Sequence, residues 1–139
     1  MKLNAVLMST VIAVGSMFTM SAHADSTARV AAASALGGVA GTALGKNLGG
    51  NTGATIGAAL GGAGGAAVAS NKKNRTESAI GGALGAGTGY AVGKNAGGTN
   101  GGYIGSALGA AGGAALGNKI AKDKAAEKRV SKKRWKKRR

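Results

Sequence analysis

Glycine recurs at every fourth residue through most of this chain, and no other feature limits its fold so tightly. Gly37, Gly41, Gly45, Gly49, Gly53, Gly57, Gly61 and Gly65 form one unbroken series. Gly81, Gly85, Gly89, Gly93, Gly97, Gly101, Gly105, Gly109, Gly113 and Gly117 form a second. Glycine in a water-exposed helix costs about 1 kcal/mol relative to alanine, so a regular series at helical spacing makes sense only where the missing side chain is used. Close helix packing is that use. Small residues at i and i+4 let two backbones approach and gain van der Waals contact and weak Cα–H···O bonds, as helices do in a bilayer. The expected packing residues are Gly37, Gly41, Gly45, Gly57, Gly61 and Gly65 in the first series, and Gly85, Gly89, Gly93, Gly105, Gly109 and Gly113 in the second. With 28 glycines in 139 residues and 3% aromatics, a conventional core of large side chains is excluded.

The two series belong to a tandem duplication. The stretch from Ala35 to Ala67 reappears from Ala83 to Ala115, shifted by 48 positions without a gap and roughly three in five identical. Gly45-Lys46-Asn47 is matched by Gly93-Lys94-Asn95, and Ile56-Gly57 by Ile104-Gly105. Four residues advance ~400° around a helix, so the glycine position drifts by ~40° at each step and only three or four glycines share a face. That limits each helix to about 16 to 20 residues. Interruptions stand where this requires them: Lys46 to Gly53 and Lys94 to Gly101 combine Asn, Thr and paired Gly in the manner of a turn. The sequence therefore predicts an all-α fold of four short helices, at about 30–46, 53–70, 78–93 and 101–121. They pair as two tandem glycine-zipper hairpins, membrane-associated and followed by a basic C-terminal tail. Lys46 and Lys94 are the only charges within the copies and sit at the hairpin tips, where a long side chain reaches head groups. A helix of ~16 residues rises only ~24 Å against a hydrocarbon core of ~30 Å, so insertion is marginal for a monomer and a homo-oligomer is expected.

Residues 1–24 have the three parts of a secretory signal. Lys2 gives the positive start, Ala5 to Met20 is mainly apolar, and Ala22-His23-Ala24 supplies the small residues a signal peptidase reads. Cleavage after Ala24 leaves an N-terminal segment 25–33, a first hairpin 34–70, a polar linker 71–77, a second hairpin 78–118 and the tail 119–139. An even number of spans would leave the tail on the exported side, against the preference for positive segments in the cytoplasm. The inner membrane is disfavoured on that ground. The outer membrane, the periplasm or release from the cell avoid the conflict.

Enzyme chemistry has no residues to work with. There is no Cys, the single His is His23 within the signal, and the carboxylates of the exported part are Asp25, Glu77, Asp123 and Glu127. That inventory excludes hydrolytic triads and zinc sites. Gly45-Lys46-Asn47 fails the nucleotide-loop pattern, because Asn follows Lys where Ser or Thr would meet a metal. The chain is expected to be no enzyme and to take no cofactor, metal or small-molecule substrate.

The tail carries most of the +15 net charge, with twelve basic residues from Lys119 to Arg139 against Asp123 and Glu127. Read plainly, such a run is a solvated, disordered end. Lys132, Lys133, Arg134, Trp135, Lys136, Lys137, Arg138 and Arg139 nevertheless set one indole among seven cations. That arrangement suits an anionic lipid surface, with the ring at head-group level and about 1 kcal/mol from each basic residue near it. Nucleic acid, from which an export signal separates the chain, ranks last among partners.

With its duplicated GxxxGxxxG series, export signal and Tyr103-Ile104-Gly105-Ser106 stretch, the chain resembles bacterial glycine-zipper envelope proteins over roughly residues 34–118. The YMGG-like zipper domain is the nearest, with Ile104 and Ser106 standing where that signature has Met and its second Gly. The resemblance implies paired helices associated with the cell envelope and no catalytic residues. The expected function is non-enzymatic self-association at an envelope membrane, with the tail docked on anionic lipid. The alternatives are a secreted membrane-permeabilising toxin or a periplasmic polyanion-binding helical protein.

Overall fold

A repeat of four is long for an α-helix, yet the chain keeps it almost from end to end. The computed structural model describes residues 25–138, so the expected signal segment 1–24 and Arg139 lie outside the described residues. Two α-helices account for nearly all of it: α1, Ser26–Ala69, and α2, Arg75–Lys137. Two helices thus replace the four expected, and the boundaries at 30, 53, 78 and 101 are not helix starts. The expected interruptions shrink to two residues each. Gly49 and Gly50 are non-helical inside α1, and Gly97 and Gly98 inside α2. Gly50 and Gly98 have φ of 59° and 61°, a left-handed backbone that glycine adopts without a steric penalty. One such glycine pair reverses the chain, so Lys46 to Leu48 and Asn51 to Thr52 remain helical on either side.

Each helix is thereby folded into an antiparallel hairpin. The arms are residues 26–48 and 51–69 of α1, and 75–96 and 99–137 of α2. Their pairing is read from the glycines. Gly37 meets Gly61, Gly41 meets Gly57 and Gly45 meets Gly53. In α2, Gly81 meets Gly113, Gly85 meets Gly109, Gly89 meets Gly105 and Gly93 meets Gly101. The two hairpins then pack against each other. Gly62 lies against Gly82, Ala59 against Gly87, and Gly38 against Ala110 and Ser106. Each arm therefore has one neighbour in its own hairpin and one in the other, an up-down-up-down bundle of four arms.

The four-residue period assigns one job to each side of every arm. Residues one apart are ~100° apart around a helix, and residues two apart ~200°. Seam glycines face the sister arm. The next residue faces the bundle axis: Val30, Ser34, Gly38, Thr42, Ala54, Ala58, Gly62, Ala66, Ser78, Gly82, Ala86, Tyr90, Gly102, Ser106, Ala110 and Ala114 are all buried. The residue before each seam glycine lies on the far side from that axis and faces out. A stripe repeating every four residues slips relative to a straight helix, and stays in contact only if the arms wrap in the right-handed sense, as expected of any period above 3.6.

Polar ties close both ends. At the open end, Asn74 Nδ2 donates to Asn118 Oδ1 at 3.1 Å, and Asn118 Nδ2 donates to Thr27 Oγ1 at 3.1 Å. Lys122 Nζ donates to Ser26 Oγ at 2.6 Å and to Thr27 Oγ1 at 3.0 Å, with the Asp25 carboxylate 3.9 Å away. At the tips, Lys46 Nζ donates to Thr99 Oγ1 at 3.0 Å and lies 5.9 Å from the centre of the Tyr103 ring. The basic segment is not a disordered end. α2 runs on through it to Lys137, so the tail from Lys119 continues the last arm of the bundle.

Candidate functional site

The seam glycines meet one another within one chain. A Cβ built on Gly37, Gly41, Gly45, Gly57, Gly61, Gly85, Gly89, Gly93, Gly105, Gly109 or Gly113 would collide with the carbonyl oxygen of its opposite glycine. On Gly65 it would collide with the carbonyl of Ala33. The seams are backbone against backbone, with no space for a methyl group. Gly53, Gly81, Gly101 and Gly117 sit in the same seams, the last against Glu77. A second glycine set lies outside the four-residue series. Gly62 and Gly82 cross between hairpins, each placing a built Cβ 2.6 Å from the other's carbonyl oxygen. Their signal was present as Gly-Gly pairs at 61–62 and 81–82, hidden because the first glycine of each pair already had a use.

The bundle axis holds small side chains. The buried apolar residues are Val30, seven alanines and Tyr90. Hydroxyls share the axis: Ser34 Oγ donates to the Gly62 carbonyl at 2.8 Å, and Thr42 Oγ1 to the Gly38 carbonyl at 2.6 Å. Such side chains bury little apolar area, at roughly 25 cal/mol per Å². Apart from buried Val30 and half-buried Leu36 and Val39, the large aliphatic side chains of the bundle are on the outside. Leu44, Leu48, Ile56, Leu60, Val68, Ile80, Leu84, Val92, Leu108 and Leu116 are all more than half exposed, as is Ile104, and Ile120 is half exposed. Nine of these twelve immediately precede a seam glycine, and the twelve are distributed over all four arms. The protein is inside-out relative to a water-soluble bundle, in which the large apolar groups fill the core.

Beyond the bundle, α2 presents the cationic residues expected to meet an anionic surface. Lys132, Lys133, Arg134, Trp135, Lys136, Lys137 and Arg138 are all exposed, and Arg139 is outside the described residues. Trp135 is 63% exposed. Lys128, Lys132, Arg134, Trp135 and Arg138 line one shallow concavity on that helix. A second groove forms where the helix passes the connector between α1 and α2. Among the described residues, no helix is long and apolar enough to cross a membrane.

The glycine-zipper family matches residues 80–124, which comprise most of the second hairpin and the start of the cationic segment. The match supports a glycine-zipper family for this part of the chain and leaves the YMGG-like subfamily unconfirmed. No curated protein and no solved structure matches the chain significantly. Over residues 80–124 this chain is thus similar to glycine-zipper proteins.

Proposed function

We propose that this is an exported, non-enzymatic glycine-zipper protein of a bacterial cell envelope. Its bundle rests in a membrane with the outer aliphatic positions against lipid, and its cationic helix docks on anionic head groups. The observation that carries this reading is the shell of leucine, isoleucine and valine around a core of Gly, Ala and Ser. A surface of that kind is a liability in water and an asset in hydrocarbon, where small residues at the interface hold helices together. Single arms need not be apolar enough to span alone. Most of their Gly and Ser positions, which lower the average hydropathy, are turned toward the seams and the axis, with Gly64 and Gly112 facing out. The arm of 19 residues, 51–69, rises about 29 Å, close to a hydrocarbon core of ~30 Å.

The matched family carries an outer-membrane designation, which supports an envelope location. The seams are filled within each chain, so association between copies, in this reading, runs through the outer aliphatic positions. The absence of Cys and of any His beyond His23 supports a role without catalysis.

A polarity-sensitive dye tests the reading, because a chain without Cys accepts a single label through Leu108→Cys. On addition of anionic vesicles, its emission should move to the blue, with the vesicle contents retained. A dye signal unchanged by vesicles, with the host protein recovered in the aqueous fraction, would overturn the membrane reading. Leakage at low protein-to-lipid ratio would replace it with the permeabilising toxin.

A further inference from the structure

The groove beside the connector joins residues far apart in the sequence. It is open, about 430 Å³ in volume, and lined by Lys73 of the connector, Glu77 of the first turn of α2, and Lys124, Lys128, Arg129 and Lys132 of the cationic helix. Five cations thus surround one carboxylate. Among the described residues, the one ion pair is Lys122 with Asp25, so none of the five is in salt-bridge contact with a carboxylate, and Glu77 is the one negative charge in the lining. Like charges brought together in this way repel, and an anion of more than one charge offsets that repulsion at several of them at once. Lysine and arginine head groups at this density match phosphate oxygens, and the volume lies in the range of small-ligand sites.

The surroundings identify where the phosphates come from. Ile120 adjoins the groove's Ala121, and Ile80 lies one turn beyond Glu77; both belong to the exposed aliphatic shell. Ile80 and Ile120 do not themselves line the groove, but they place the edge of the aliphatic shell next to its cations along both segments of α2. We propose that the groove seats a lipid head group carrying two phosphates, with the acyl chains of the same lipid running back along the shell. This rests on the membrane reading above and deepens it. Diffuse docking of a cationic tail requires only total charge, whereas the groove requires Lys73, which is 46 residues before the tail begins.

The test compares two double variants of the full exported chain in vesicle flotation. Lys73→Gln with Lys124→Gln removes two groove charges, and Lys136→Gln with Lys137→Gln removes two at the end of the helix. Vesicles of phosphatidylcholine contain either phosphatidylglycerol, with one phosphate, or cardiolipin, with two, at matched total charge. On phosphatidylglycerol both variants should lose about fivefold per charge removed. On cardiolipin the groove variant should lose about tenfold more than the helix-end variant, and Lys73→Arg should bind as the unaltered chain does. Equal losses on cardiolipin overturn the groove. Release of the chain by pyrophosphate at equimolar phosphate, or tighter binding to a short single-stranded oligonucleotide, overturns the lipid assignment. Failure of the unaltered chain to bind either vesicle is a separate result and defeats the membrane reading itself.

Discussion

The two halves of the duplication share one seam and differ in their contribution to the core. From position 37 onward every seam glycine of the first hairpin has a glycine 48 residues later. One residue further along, the copies diverge: Ser34 against Gly82, Gly38 against Ala86, Thr42 against Tyr90, Ala54 against Gly102, Ala58 against Ser106 and Gly62 against Ala110. The contacts explain the contrast. A seam position meets a carbonyl of its own hairpin, and each copy must solve that problem alone with the same residue. An axial position meets side chains from both hairpins, so extra volume in one arm is absorbed by a smaller residue in another. The clearest case is Tyr90, buried to 1% exposure, whose ring occupies the place a Cβ on Gly102 would take, 2.6 Å from Cε2. At the corresponding positions of the first copy stand Thr42, smaller than Tyr, and Ala54, larger than Gly.

This contrast can be broken most severely at the seams. Gly109→Leu together with Gly113→Leu should separate the arms of the second hairpin and cost at least about 3 kcal/mol, removing the cooperative thermal transition followed by circular dichroism. Gly61→Leu with Gly65→Leu should do the same in the first hairpin. A copy that tolerates the change would show that its seam is not the closed contact described. Next in size, Gly102→Ala gives the second hairpin the residue of the first and should cost about 1–3 kcal/mol through overpacking against Tyr90. In a Tyr90→Thr background that cost should vanish. Additive losses in a double-mutant cycle would deny the coupling.

Smaller effects sharpen the picture. Gly64 and Gly112 are equivalent in the two copies, and a Cβ at either would meet nothing within 4 Å. Alanine at each should raise stability by up to about 1 kcal/mol, seen as a higher Tm, because only the helix penalty of glycine remains there. The smallest difference concerns the tips. Lys46→Met should cost about 0.5 kcal/mol through loss of its contacts with Thr99 and Tyr103. Lys94→Met, in the other tip, should leave stability unchanged in the same denaturation measurement.

Much of the architecture was legible because it is local. Helix, seam and reversal follow from glycine spacing and from Gly49-Gly50 and Gly97-Gly98, whose conformational freedom is written in the residue type. The helices are fewer and longer than expected because two glycines suffice to turn the chain, and the flanking Asn, Thr and Lys, which suit a loop, stay helical. The charge run of the tail leaves open in sequence whether it is a solvated end or a continuation of the last helix. Its alanines and its continuity with the last arm let α2 extend through it to Lys137. The candidate lipid-contact surface was harder to see. Leucine and isoleucine at every fourth place look the same in sequence whether they face a core or a membrane.

The sequence by itself determined that backbones would meet at every fourth residue, since a missing side chain has the same consequence wherever the chain goes. Only the tertiary structure decided how the two hairpins meet each other and which side of every arm is left outward. The seams close between arms of one chain, leaving the aliphatic positions outward and bringing Lys73 beside a helix that begins its cationic run at Lys119. That choice depends on the reversal at each glycine pair and on the connector length, and neither is encoded in the zipper period.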